Sequence, residues 1–129
     1  MSRLSPDKRM LEYALNDACS DIFAFSTTRH GGISTGTYAS LNCTPYTGDS
    51  AENVLRNQEL LLEALPQRPQ ELVIPWQTHG TASLVIDADY LQADPQTRHE
   101  RLQGIDALIT REPSGCLCIS TADCIPILL

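Results

Sequence analysis

Leu72-Val73-Ile74-Pro75-Trp76-Gln77-Thr78-His79-Gly80-Thr81-Ala82-Ser83-Leu84-Val85-Ile86 holds two short aliphatic runs around a polar turn, and its reading decides the fold. Each run is β-branched and too short for an ordinary helix, so the pattern predicts strands at Leu72-Val73-Ile74 and Ser83-Leu84-Val85-Ile86 with a turn over Gln77 to Gly80. That turn sets His79 at the end of an apolar run, where an imidazole can be held still. Cys124, in Thr121-Ala122-Asp123-Cys124, occupies a similar place further on. Imidazole and thiolate together suit two chemistries: a borderline-soft metal such as zinc, or a cysteine nucleophile with a histidine base.

Outward from this stretch, Ile22-Phe23-Ala24-Phe25-Ser26-Thr27-Thr28 reads as a strand entering the tight loop Arg29-His30-Gly31-Gly32. From Gly31 to Asp49 no helical or strand period survives, and Tyr38 and Leu41 are the expected apolar anchors. Ordered loops of that length are usually functional. Ser50 or Asp49 can cap a helix carrying Val54, Leu55, Leu61, Leu62 and Leu65 on one broad face, and Pro66 ends it. Asp94-Pro95 predicts a second helix over Gln96 to Gln103, stopped by Gly104. Asp106 to Thr110 and Cys116 to Ser120 read as strands joined into a hairpin by Glu112-Pro113-Ser114-Gly115. The expected fold class is α+β: a mixed β-sheet core with helices packed outside, in one domain over residues 1–129 with no internal boundary. The final run Ile125-Pro126-Ile127-Leu128-Leu129 has no polar cap or turn, so the domain is expected to be incomplete at its C-terminus.

The formal charge of −7 and pI near 4.7 argue against a nucleic-acid or anionic membrane partner, because both require clustered Lys and Arg. A bound anion would need an arginine or backbone N–H groups close at hand. Cys19, Cys43, Cys116, Cys118 and Cys124 form an odd set without a C-x-x-C pair, which fits neither a disulfide framework nor a structural zinc knuckle. Reduced thiols, no secretory leader over residues 1–10 and no membrane-length apolar run together place the chain in the cytoplasm.

The residues alone leave each role open. Cys124 and His79 are ligands, or a buried thiol and a hydrogen-bonded imidazole. His99 lies in a polar run and is expected to be solvated, while His30 could line a pocket. Asp123 is a carboxylate that orients a ligand or one that caps a turn. Arg29, before two glycines, grips an anion or is solvated. Asn42 holds its own loop or meets a ligand, and Gln77 satisfies a strand end or faces a pocket. Cys116 and Cys118 share a strand face and most simply are two small apolar side chains.

Ser26-Thr27-Thr28-Arg29-His30-Gly31-Gly32-Ile33-Ser34, Tyr38-Ala39-Ser40-Leu41-Asn42, Gln77-Thr78-His79-Gly80, Asp106-Ala107-Leu108-Ile109-Thr110 and Thr121-Ala122-Asp123-Cys124-Ile125-Pro126-Ile127-Leu128-Leu129 resemble, in order, the signatures of one family. It is the polyphenol oxidoreductase (laccase)-like family, whose members are also described as zinc-dependent purine nucleoside phosphorylases with adenosine deaminase activity and as a peptidoglycan editing factor. The resemblance implies that His79 and Cys124 are zinc ligands and that Arg29, Asn42 and Gln77 lie near nucleoside or phosphate. A third histidine ligand belongs to a later segment of the family pattern that this sequence does not contain. Where many members have Asn-Arg in the helix after the glycine loop, Asn57-Gln58 stands here, so no anion contact is assigned to that helix. The implied activity is purine nucleoside phosphorolysis with adenosine deamination, using zinc and small-molecule partners.

Three other readings follow from the same residues. A metal-free cysteine hydrolase would use Cys124 and His79 directly. A copper-dependent phenol oxidase ranks lower, since a multicopper cluster needs many imidazoles and the chain has three histidines. A non-enzymatic binding module would require the chain to be complete. Oligomeric state and preferred nucleoside leave no trace in the sequence.

Overall fold

The computed structural model describes residues 2–129. Its contacts divide the chain into two compact units, Met1–Pro66 and Gln67–Leu129.

The first unit opens with an antiparallel sheet of β1 (Arg3–Leu4), β2 (Met10–Glu12) and β3 (Phe25–Thr27), in that order. Register is set by Met10 opposite Thr27 and Leu4 opposite Leu11. A short helix, α1 (Leu15–Ala18), lies between β2 and β3. The expected strand at 22–28 is therefore present but narrower. The long loop follows, containing a 3-10 turn at Gly36–Tyr38. Helix α2 (Ala51–Ala64) begins where the Ser50 hydroxyl accepts the Asn53 N–H, so Ser50 is the cap. Val54 and Leu61 are buried as expected, whereas Leu55 is 66% exposed. Asn57 takes the buried position between Val54 and Leu61, at the i, i+3, i+7 spacing of one helix face.

The second unit contains β4 (Glu71–Val73), β5 (Ser83–Ile86), α3 (Ala88–Gln92), α4 (Pro95–Arg101), β6 (Ala107–Thr110) and β7 (Gly115–Leu117). Asp94 caps α4 through the Thr97 N–H with proline in the first turn, as its sequence predicts. The expected hairpin is corrected. β6 pairs in parallel with β5, and β7 pairs in parallel with β4. The tight turn before β7 exists, but the Ser114 carbonyl accepts from Gln70 N–H at 2.7 Å, drawing β7 to β4. Parallel partners need a crossover, and α3 and α4 supply it between β5 and β6. Val73, Ile86, Tyr90, Leu91 and Leu102 form the core here, with Leu84, Leu108 and Leu117 packed against it. Among the described residues the sheet content is thus three small sheets, one antiparallel and two parallel, with helices beside them: a mixed α and β fold.

Among the described residues, no helix is long and apolar enough to cross a membrane.

Candidate functional site

The turn that carries His79 is held from both stems. On one side Trp76 N–H donates to Leu102 O and Gly104 N–H donates to Trp76 O, and on the other Asp106 N–H donates to Ala82 O. Trp76, which follows the first apolar run, is 47% exposed. Asp106 then closes the turn from within. Its carboxylate accepts the backbone N–H groups of Thr78 at 3.1 Å, His79 at 2.8 Å and Gly80 at 2.9 Å, and the Thr78 hydroxyl at 3.3 Å. Burial pushes this carboxyl's pKa up, but the N–H groups of Gly80, Thr78 and His79 outweigh it and hold the value below 3.8.

His79 needs that clamp because its φ is +59°, the left-handed region that non-glycine residues rarely occupy. With the backbone fixed, the exposed imidazole is left to face outward, without a hydrogen bond among the described residues. Cys124 lies in a comparable turn. Its N–H donates to Thr121 O at 2.7 Å across Ala122, whose φ is +45°. His79 itself and Ala122, two residues before Cys124, are thus left-handed non-glycine residues, as is Lys8 elsewhere in the chain, and local strain of this kind is kept where a fold over-determines the geometry.

Gln77 joins these turns. Its side-chain carbonyl accepts the Ser120 N–H at 2.8 Å and its amide donates to Ser120 O at 3.3 Å, so both ends of the amide are engaged by one residue of the 120–124 segment. Cys124 is the one exposed cysteine of the five, and the others are half-buried. Burial pushes the Cys43 thiol up to about 11, which keeps that sulfur protonated near neutral pH. Asp123 is exposed beside Cys124.

Arg29 and Asn42 belong to the other unit. The exposed Arg29 guanidinium donates through Nε and Nη2 to Ala39 O at 3.2 and 3.0 Å, clasping the glycine loop to which it belongs. A guanidinium has five N–H donors, so part of the fork stays open to an anion. Asn42 holds the loop, donating to Thr47 Oγ1 and Asp49 Oδ2. Asp49 also accepts the Ser34 hydroxyl, and these bonds, that of Ser34 first, hold its carboxyl below the ordinary carboxylate value.

The roles of two residues escaped the sequence reading. Asn57, fully buried, accepts Ile33 N–H at 2.8 Å and donates to Ser34 Oγ at 2.8 Å and Asn42 O at 2.9 Å, so α2 pins the long loop at three points. Its signal was a polar residue at the buried spacing of an amphipathic helix. Gly32 shows how tightly that loop closes, since a Cβ there would meet Ser40 O at 2.2 Å. Asp106 stood only at the head of a strand and of the Asp106-to-Thr110 signature, with no role of its own attached.

A cysteine sulfur and an imidazole nitrogen, on turns joined through Gln77 and Ser120, are donor types that zinc takes. Among the described residues no three His, Cys, Asp or Glu side chains converge.

The purine nucleoside phosphorylase of Bacteroides thetaiotaomicron is 59% identical over all 129 residues, which span 48% of that protein. An adenosine deaminase from an unknown prokaryotic organism is 38% identical over 106 residues, covering 82% of this chain and 40% of its own length. The chain thus spans about half the length of the curated relatives it matches. The crystal structure of the Bacillus licheniformis hypothetical protein YfiH superposes with a TM-score of 0.73 at 24% identity, over 92% of this chain and 44% of that one, which shows a shared fold. The family model of the multi-copper polyphenol oxidoreductase laccases matches residues 23–129. Motif order, fold and sequence similarity agree, and the chain belongs to that family.

Proposed function

We propose that the full-length protein is a cytoplasmic zinc enzyme that splits purine nucleosides by phosphorolysis and deaminates adenosine. The observation that carries this reading is the pair of braced turns: His79 held by Asp106, Cys124 closed onto Thr121, and Gln77 tying one segment to the other. The names of the relatives supply the substrate class.

In this reading Cys124 and His79 hold zinc, which supplies Lewis acidity and an acidified water when bound. Asp106 and Gln77 act through backbone, fixing where the imidazole and thiolate start. Asp123, exposed beside Cys124, orients the group it meets. Arg29 takes the phosphate with the N–H groups that Ala39 leaves open, and Asn42 shapes the loop near the nucleoside. Copper in place of zinc is the weaker alternative, because two soft or borderline donors are no basis for a multicopper cluster.

In steady-state assays with adenosine or inosine plus phosphate, free base and ribose 1-phosphate are the expected products. Arg29→Ala is expected to weaken phosphate use more than deamination, since a guanidinium favours an anion whereas water needs no such partner. Equal loss of both activities would make Arg29 a loop brace through Ala39 and no more.

The exposed thiol and imidazole also favour a second reading, a metal-free cysteine hydrolase in which His79 takes the Cys124 proton. The two readings part on how the thiol responds to chelation.

A further inference from the structure

Cys116 on β7 and Cys118 just beyond it stand apart from the residues discussed so far. Strand alternation puts Leu117 into the core with Val73 and Ile86, so both cysteines lie on the opposite face. Their sulfurs are 4.0 Å apart and in mutual contact, and Cys118 Sγ also approaches Cys116 O at 3.6 Å. The backbone beneath is fixed by the parallel pairing of β7 with β4 and by Cys118 N–H donating to Val73 O at 2.9 Å.

We propose that Cys116 and Cys118 form a two-sulfur chelating site for a soft thiophilic cation of the Cu(I) class, separate from the His79 and Cys124 turns. Two sulfurs 4.0 Å apart, each about 2.3 Å from a shared ion, enclose an angle of about 120°, and opening them by about 0.6 Å makes it linear. Both geometries suit an ion content with few sulfur ligands, and thiolates select such soft ions. The hydrogen bond from Cys118 lowers the Cys116 pKa against the opposing effect of burial, a shift in the direction that favours metal binding. A disulfide is the poorer use of the pair: sulfur separation would have to halve, to about 2.05 Å, between residues held extended by the sheet.

The test is anaerobic titration of Cu(I) from a chromophoric chelator into the zinc-loaded full-length protein. One equivalent is expected to bind, and Cys116→Ser and Cys118→Ser are each expected to weaken that uptake at least tenfold. In the unsubstituted protein one equivalent of phenylarsine oxide, which condenses with two neighbouring thiols and releases water, is expected to block it. No uptake by the unsubstituted protein overturns the proposal, as does uptake indifferent to the arsenical or to either substitution. A mass loss of two hydrogens without copper uptake overturns it in favour of a redox pair.

Discussion

Asp106→Ala is expected to lower the zinc affinity of the full-length protein about 10–100-fold, the range found when groups that orient metal ligands are removed. The carboxylate touches no ligand atom. It accepts three consecutive backbone N–H groups and so holds His79 in a left-handed conformation that the residue does not favour by itself. Without it the turn relaxes and the imidazole starts from the wrong place. Asp106→Asn keeps one carbonyl oxygen and is expected to fall between the two. Because the folded pKa lies below the ordinary 3.8, the stabilisation from Asp106 is fully present above that value and is lost as pH falls through the lower folded value. Metal affinity should therefore show no contribution from Asp106 titration between pH 5 and 8. Competition with a zinc-sensitive dye checks both points. Unchanged affinity in Asp106→Ala would show that the turn holds without its clamp.

Asn57→Ala is expected to destabilise the full-length protein by about 3 kcal/mol, since its loss leaves buried loop groups without partners. Ile33 N–H, Ser34 Oγ and Asn42 O all meet this one side chain, which is itself fully buried. Asn57→Asp keeps the acceptor for Ile33 and forfeits both donated bonds, so most of the loss should remain. Urea unfolding should show a lower midpoint at unchanged slope. A loss under about 0.5 kcal/mol, the size of an ordinary surface substitution, would mean that the loop is held elsewhere.

Elements fixed by neighbouring residues were legible in the sequence. Ser50 and Asp94 cap α2 and α4 as read, and the turn at Gln77 to Gly80 lies between two strands as read, because caps and tight turns depend on contacts a few residues apart. Strand pairing was not legible. Glu112-Pro113-Ser114-Gly115 makes a tight turn, yet its flanking strands choose partners far away in the sequence, and a parallel pair leaves no local pattern to read. The site divided along the same line. His79 and Cys124 stand out by residue type, whereas the groups that set their geometry do so by backbone contacts from 26 to 43 residues away. Gln77 illustrates this: its amide binds Ser120 backbone at both ends, a role that no spacing in the sequence foretells.

The central claim is that Cys124 is a metal ligand, and its alkylation by iodoacetamide in the full-length protein tests it most directly, with the site of modification read by peptide mass. A zinc-bound thiolate resists alkylation, because the metal engages the lone pair that would attack, and becomes reactive once the metal is removed. The expected result is slow modification of Cys124 in the metal-loaded protein, at least tenfold faster modification after chelation, and loss of activity on chelation alone. Rapid modification of Cys124 regardless of chelator, with full activity in the chelated protein until it is alkylated, would contradict the zinc site and assign Cys124 as a nucleophile.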